Sequence, residues 1–318
     1  MGKFIVRRLL ATLLILWGVS IVVFALIKII PGDAAQILMG PSHDPELYAT
    51  LSRSLGFDKP LYVQYALWLK NALQLDLGTS IQYKVPVTEL VGQKAANSAI
   101  LAAFAMVVAL IIGFTLGLIS ALSRGTAIDA LVRALSLVGI TAPNYWLGLM
   151  VIYLFAVKLH WLPAGGMYDA RDPGGLLDLL RHVILPGFMA CFATLAVVAR
   201  ITRSSLLNVL GQPYILAARA RGLPHKAILF RHGLRSIMVP VFSVWALQVG
   251  YVFGGALFVE IVFSWPGLGS LIYSAIGSQD VPVMQGVLLL VALVFTTASL
   301  FSDVLQATLD PRIRRPAQ

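Results

Sequence analysis

Charge is scarce in this sequence, and acidic charge scarcer still. Only 12% of the residues are Asp, Glu, Lys or Arg, against about 25% in a soluble domain. With 58% hydrophobic residues, an ordinary soluble fold is excluded and a membrane chain indicated. The single cysteine, Cys191, lies inside an apolar run. A disulfide framework and a multi-cysteine metal site are thereby excluded, and a small buried residue is its plain reading. No G-x-x-x-x-G-K-[ST] phosphate loop occurs, so the chain has no visible means of binding ATP by that route. The five histidines (His43, His160, His182, His225, His232) lack metal-ligand spacing and none sits mid-span. Catalytic carboxylate pairs are not apparent. The net charge of +10 flanks apolar segments instead of lining one soluble face, which argues against nucleic acid as a partner.

What is present is apolar sequence of spanning length. Leu9 to Ile30 is 22 residues, about 33 Å as a helix, enough to cross a bilayer core of about 30 Å. It is longer than a signal-peptide core and no A-x-A site follows, so it reads as a retained first span. Lys28, near its far end, can snorkel to the headgroups or act within the membrane. Six spans are expected, at 9–30, 96–122, 134–157, 184–204, 238–259 and 283–305. An even count puts both termini on one side. The N-terminus, the 123–133 loop, the 200–238 loop and the C-terminal tail together hold fifteen Lys/Arg, and the opposite side holds eight. The richer side is expected to face the cytoplasm. The domain division follows: 1–30 as N-terminus and first span, 31–94 as an external loop region, 95–318 as a five-span core.

Small residues punctuate the spans. Gly113 and Gly117 are four apart in the second, and Gly250, Gly254 and Gly255 lie in the fifth. Close helix packing and a pathway beside small-residue helices are both compatible with this. In the external loop, Pro60 can open a helix in which Leu61, Tyr65, Trp68, Leu69 and Ala72 recur at helical spacing. Tyr62, Tyr65 and Trp68 then lie at the membrane interface, pack on the bundle, or contact substrate. The 158–183 loop carries turn chemistry (Pro163-Ala-Gly-Gly166, Asp172-Pro-Gly-Gly175). Polar groups that could serve ion coupling are few: Asp303, Glu260, Asn97 and Asn144, all near span ends. Energy is therefore expected from elsewhere.

The segment from Arg200 to Met238 stands out, with seven Lys/Arg and no Asp or Glu. Pro213 can start a helix. Ala217, Ala218 and Ala220 favour it, and Arg219 and Arg221 fall in its last turn, where cations complement the dipole. Gly222 is a natural residue after a helix end. Pro224 opens a second helix with His225, Lys226 and Ala227. Small Ala side chains admit a close partner and the Arg side chains can pair with its acidic groups. An interfacial helix on anionic lipid fits the same pattern.

Tyr214-Ile-Leu-Ala-Ala-Arg-Ala-Arg-Gly-Leu223 resembles the EAA loop of bacterial ABC importer permeases, in the form typical of the dipeptide, oligopeptide and nickel group. Pro240 matches the downstream proline, and Leu216 stands where the general pattern has Glu. The resemblance extends through Ile30-Pro-Gly-Asp33, Leu55-Gly-Phe-Asp-Lys-Pro-Leu61, Asp76-Leu-Gly-Thr-Ser80 with Pro86-Val87, and Thr141-Ala-Pro-Asn-Tyr-Trp-Leu-Gly148. It continues in Leu162-Pro-Ala-Gly-Gly166, Val262-Phe-Ser-Trp-Pro-Gly-Leu-Gly269, Asp280-Val-Pro-Val-Met-Gln-Gly286 and Asp310-Pro-Arg312. Together these resemble the first of two paired permeases.

The resemblance implies an all-α integral membrane protein of six transmembrane helices, with type I importer architecture and a partly helical external loop. It implies a homologous second permease, two ATPases that bind ATP and Mg, an external binding protein, and no cofactor in this chain. The substrate it implies is a dipeptide or short oligopeptide, with a nickel chelate, glutathione or haem as alternatives. The membrane is the bacterial inner membrane. ATPase coupling is expected of Tyr214, Ala217, Ala218, Arg219, Ala220, Arg221, Gly222, Leu223 and His225, within a cytoplasmic loop 205–238. Asn144, Tyr145, Gln248, Tyr251 and Phe253 are pathway candidates, because they bring polar or aromatic groups to the third and fifth spans. Two rivals remain: an ion-coupled carrier, which would take up peptide alone under a proton gradient, and a lipid-binding scaffold, whose deletion would leave uptake unchanged.

Overall fold

The computed structural model describes residues 2–29, 59–169, 171 and 174–309. The Ile30–Asp33 motif, most of the first part of the external loop, the Asp172 turn and the C-terminal arginines lie outside the described residues. Ten helices make up the described chain: α1 Gly2–Ile29, α2 Leu61–Leu73, α3 Val87–Leu122, α4 Ala127–Thr141, α5 Asn144–Val151 with a wider turn over Ile152–Lys158, α6 Gly175–Leu210, α7 Pro213–Ala220, α8 His225–Val262, α9 Leu268–Gly277 and α10 Val281–Leu309. Five of them are long and apolar enough to cross a membrane, and the bent pair α4–α5 makes a sixth if taken as one span.

That pair corrects the expected continuous third span at 134–157. The chain turns by 113° between Thr141 and Asn144. Ala142 is extended, with φ −74° and ψ 140°. Proline clashes with a helical conformation in the residue before it and brings no N–H of its own, so Pro143 forces the break. The fourth span is also longer than its expected 184–204. Leu176, Leu177, Leu179 and Leu180 continue the helix back into the supposed external turn, and α6 starts at Gly175. At 36 residues each, α3 and α6 are about 54 Å long and overrun a bilayer core.

α3 and α6 form the spine. Ala105, Ala109, Cys191 and Leu195 pack between them, with Val252 of α8 against the same cluster. Gly113 and Gly117 are the close-approach positions. A Cβ on Gly113 would stand 2.8 Å from the Leu195 carbonyl oxygen, and one on Gly117 would stand 2.5 Å from that of Ala199. The fifth-span glycines behave differently. Gly250 faces the Phe295 ring, but nothing lies within 4 Å of a Cβ on Gly254 or Gly255 among the described residues. Of the three, Gly250 is the one that packs closely within the chain itself among the described residues.

Polar contacts fix the ends of the bundle. At one end, Asp129 of α4 accepts from Ser120 Oγ of α3 at 2.6 Å and from Arg203 of α6 at 2.8 and 2.9 Å. Arg8 of α1 pairs with Asp303 of α10 at 3.0 Å. At the opposite end, Asn97 of α3 donates to the Pro266 carbonyl at 2.8 Å, and Trp265 Nε1 donates to Asn97 O at 3.0 Å. Ser80 Oγ and the Gln82 N–H both donate to Asp280 Oδ2, just before α10. The described chain thus begins and finishes at the same end, the one carrying the basic loop.

Two of the sequence's polar alternatives acquire structural roles. Tyr65 OH and Ser20 Oγ are 2.8 Å apart, and Phe24 of α1 packs on the rings of Tyr65 and Trp68. Those two residues pack on the bundle, while Tyr62 stays exposed. Glu260 is fully buried, and its Oε2 accepts from the Gly269 N–H at 2.6 Å in the first turn of α9. A carboxylate there satisfies free N–H groups and meets the positive end of the helix dipole. A Cβ on Gly267 would collide with that carboxylate. Glu260→Ala is expected to leave the Gly269 N–H buried without its acceptor, at a cost of about 1–3 kcal/mol. Glu260→Gln keeps an oxygen in place and is expected to lose less, as read by thermal melting of the detergent-solubilised protein.

Candidate functional site: the α7–α8 elbow

α6 ends at Leu210, and the Gly211 N–H donates to the Leu207 carbonyl at 3.2 Å. Pro213 opens α7, where a missing N–H costs nothing. The eight residues of α7 stop at Ala220. Gly222 then takes φ +81°, a left-handed conformation that glycine adopts without a side-chain penalty. Its N–H donates to Arg219 O at 2.9 Å, and the Leu223 N–H donates to Ala218 O at 3.2 Å. Both bonds close the end of α7. Pro224 sets the entry into α8. The expected order of helix, Gly-Leu-Pro turn and helix is present. The second helix, however, does not end in the loop: it runs on as α8 for 38 residues to Val262.

The elbow has two faces. Ile215 and Ala218 point inward and pack with Ile228, backed by Leu210. Tyr214, Leu216, Ala217, Arg219, Ala220, Arg221, Gly222, Leu223 and His225 are exposed. Ala218 is therefore no part of the outward surface: at 3% exposure it is a spacer that lets α7 lie against α8. The physical reason is helical register, since positions three apart share a face and 215 with 218 define the inner one. Below this contact, Gly233 sits against Leu206, and Ile237 and Val241 join Leu206, Val198 and Leu229 in a buried cluster. α7 is thus attached to α8, and α8 to α6. The face left open mixes two arginine cations with small and aromatic side chains. It can take a partner's acidic groups and apolar ridge at once.

Ala218→Trp is expected to push α7 off α8 and lower the melting temperature of the isolated chain. Ala217→Trp, on the exposed face, is expected to leave that temperature unchanged and act only where a partner touches. Parallel melts of both variants check the assignment of faces.

The pathway candidates separate. Asn144 and Tyr145 lie beside Gly148, Met189, Phe258 and Val259 where α5 meets α8. Tyr251 is 70% and Phe258 71% exposed, and the two are seven residues apart on one face of α8. Gln248, half-buried, is one turn further toward the elbow. Phe253 is on the other side of the helix, buried with Val87, Val91 and Leu268, and shares no surface with them. Phe258 was missing from the sequence reading, since an aromatic residue in an apolar run carries no mark of exposure. The Asp129 network was missed too. Its one legible signal is Thr126, which caps α4 by accepting from the Asp129 N–H.

Comparison with known proteins places this arrangement. The family model described as binding-protein-dependent transport system inner membrane component matches residues 113–315, and the model for the N-terminal part of such components matches residues 1–93. A dipeptide transport system permease protein, DppB, of Alkalihalophilus pseudofirmus is 38% identical over 99% of this chain and 100% of its own. An oligopeptide transport system permease protein, AppB, of Bacillus subtilis is 36% identical over 98% and 99%. A glutathione transport system permease protein, GsiC, of Escherichia coli K12 is 36% identical over 99% and 99%. Among solved structures, a chain of the MetNI methionine ABC transporter in inward-facing conformations aligns with TM-score 0.55 and 17% identity, over 70% of this chain and 96% of that one. This likeness shows a shared fold. On these matches, end to end and across both models, the chain belongs to the family of inner-membrane components of binding-protein-dependent transport systems.

Proposed function

We propose that the chain is one of two homologous membrane-spanning subunits of an ATP-driven importer of dipeptides and short oligopeptides. The observation that carries this reading is the end-to-end similarity to permeases named for dipeptide and oligopeptide transport. The exposed face of the elbow supports it. The second permease completes the pathway, two ATPase subunits bind ATP and Mg, and an external binding protein delivers the peptide. The basic end of the bundle faces the cytoplasm of a bacterial inner membrane, with both termini inside.

In this scheme the open face of α7, with Tyr214, Ala217, Arg219 and Ala220, and the turn after it, with Arg221 and Leu223, rest in a groove of one ATPase, and His225 borders them. Closure of the ATPase pair displaces α7. Because Ile215 and Ala218 are packed on Ile228, the displacement enters α8 at its first turn. α8 is about 57 Å long as a straight helix, and its far end holds α9 through Glu260. A push at the elbow is thereby carried along α8 past Gln248 and Tyr251 to its far part, where Asn144 and Tyr145 lie beside Phe258 and Val259. Access alternates as a population shift between two packings of the bundle.

The test is ATP-dependent uptake of a labelled dipeptide by the reconstituted complex of both permeases, both ATPases and the binding protein. Saturable uptake that unlabelled dipeptide competes away, and glutathione does not, is the expected result. The glutathione-permease relative, at 36% identity, favours one second reading. Uptake competed by glutathione and not by dipeptide would replace the first reading with it.

A further inference from the structure

A cavity of about 310 Å³ opens between α4 and α6 at the basic end of the bundle, away from the elbow and the pathway. Arg133 and Ser136 reach it from α4, and Arg200, Arg203 and Ser204 from α6. We propose that this cavity binds a phosphate group, in the form carried by an anionic phospholipid headgroup.

Charge is the first reason. Three guanidinium groups line the cavity, and the one carboxylate beside them is already engaged. Asp129 Oδ1 takes Arg203 Nε at 2.8 Å and Ser120 Oγ at 2.6 Å, and Oδ2 takes Arg203 Nη2 at 2.9 Å and the Gly125 N–H at 3.2 Å. Arg133 approaches Asp129 only at 3.6 Å, with its side chain 59% exposed. Three positive charges against one negative leave an excess of about two on the wall, and a buried counter-charge that is already saturated cannot absorb it.

Geometry is the second. Asp129 clamps Arg203 through two of its five N–H donors, so three remain, in a fixed plane at the cavity edge. Arg200 brings a second guanidinium to the cavity about one turn before Arg203 on the same face of α6. A tetrahedral phosphate offers acceptors to all of these at once, which a single carboxylate or chloride does not. The volume matches roughly ten waters, room for a glycerophosphate headgroup.

The third reason separates a lipid from a free anion. The cavity's other wall is apolar, with Val132, Leu137 and Ala199. On the cavity's own face of α4, Leu137 and Ile140 are 59% and 39% exposed. An acyl chain lying along that stripe would leave its phosphate at the arginines. The site lies toward the basic end of the bundle, between α4 and α6, and basic pockets between spanning helices suit such lipids.

Native mass spectrometry of the full transport complex, supplied with phosphatidylglycerol or phosphatidylcholine, tests this. Wild type is expected to retain phosphatidylglycerol, and Arg133→Gln with Arg200→Gln to lower that occupancy by about tenfold or more. Arg203 is left in place because it partners Asp129. Ser136→Phe fills the cavity without removing a charge and is expected to lose the adduct as well. Lys226→Gln with Arg231→Gln, exposed at the same end but outside the cavity, is expected to keep it. If excess inorganic phosphate raises the wild-type melting temperature, the double arginine variant does not respond, and lipid shows no preference, the phosphate site stands but the lipid assignment fails. Equal lipid retention and equal phosphate response in wild type and cavity variants would overturn the proposal outright, as would equal loss in the Lys226/Arg231 control.

Discussion

Gly222→Pro is expected to reduce substrate-stimulated ATP hydrolysis by the assembled complex to its unstimulated level, and to abolish uptake, while the chain still inserts and folds. Gly222 sits at φ +81°, and proline is locked near −65°. Its N–H also closes α7 by donating to Arg219 O, a bond that proline cannot make. The substitution therefore re-aims α7 relative to α8 without touching the buried bundle, since nothing lies within 4 Å of a Cβ at this position. The same open space makes Gly222→Ala the informative companion. It meets only the left-handed backbone penalty, about 1–2 kcal/mol, and is expected to keep part of the stimulation. Binding-protein-dependent ATPase rates of the two variants read the difference.

Gly117→Leu is expected to prevent the described fold from forming. A bare methyl at this position already stands 2.5 Å from a backbone carbonyl and 2.6 Å from the Cβ of buried Thr202, so α3 and α6 would have to separate. That separation would also pull Ser120 from Asp129 at the end of α3. Gly117→Ala is expected to cost about 1–3 kcal/mol through overpacking. Gly254→Ala meets no atom within 4 Å and is expected to leave the fold of the solubilised chain intact. The monodisperse fraction on gel filtration and the melting temperature of the three variants give the order: Gly254→Ala unaffected, Gly117→Ala lowered, Gly117→Leu largely lost.

The spans and the elbow were legible because each has a strong local cause. Apolar length marks α1, α3, α6, α8 and α10. Proline at Pro213 and Pro224, with Gly222 between them, marks the turn whatever the tertiary context. The break at Pro143 was hidden by hydropathy that stays high on both sides of it, although Ala142-Pro143 carries the backbone reason in plain view. α9 was not read at all, because ten residues with Gly at both ends look like loop until Glu260 supplies the acceptor at its start. Direction was the least legible property. Ala217 and Ala218 are equivalent as letters, yet one faces solvent and the other Ile228. Phe253 and Phe258 differ in the same way, one in the core and one on the surface. Both distinctions depend on which neighbour covers which side of a helix, and that neighbour is remote in sequence.

The central claim is that motion reaches this chain through the outward face of α7. It is tested most directly by placing a short photo-cross-linking side chain at Ala217, and separately at Ala218, in the complete transport complex. An adduct with the mass of this chain plus one ATPase subunit from position 217, and none from the inward position 218, is the expected result. Position 217 yielding no such adduct, in a complex that still hydrolyses ATP and transports, would contradict the account.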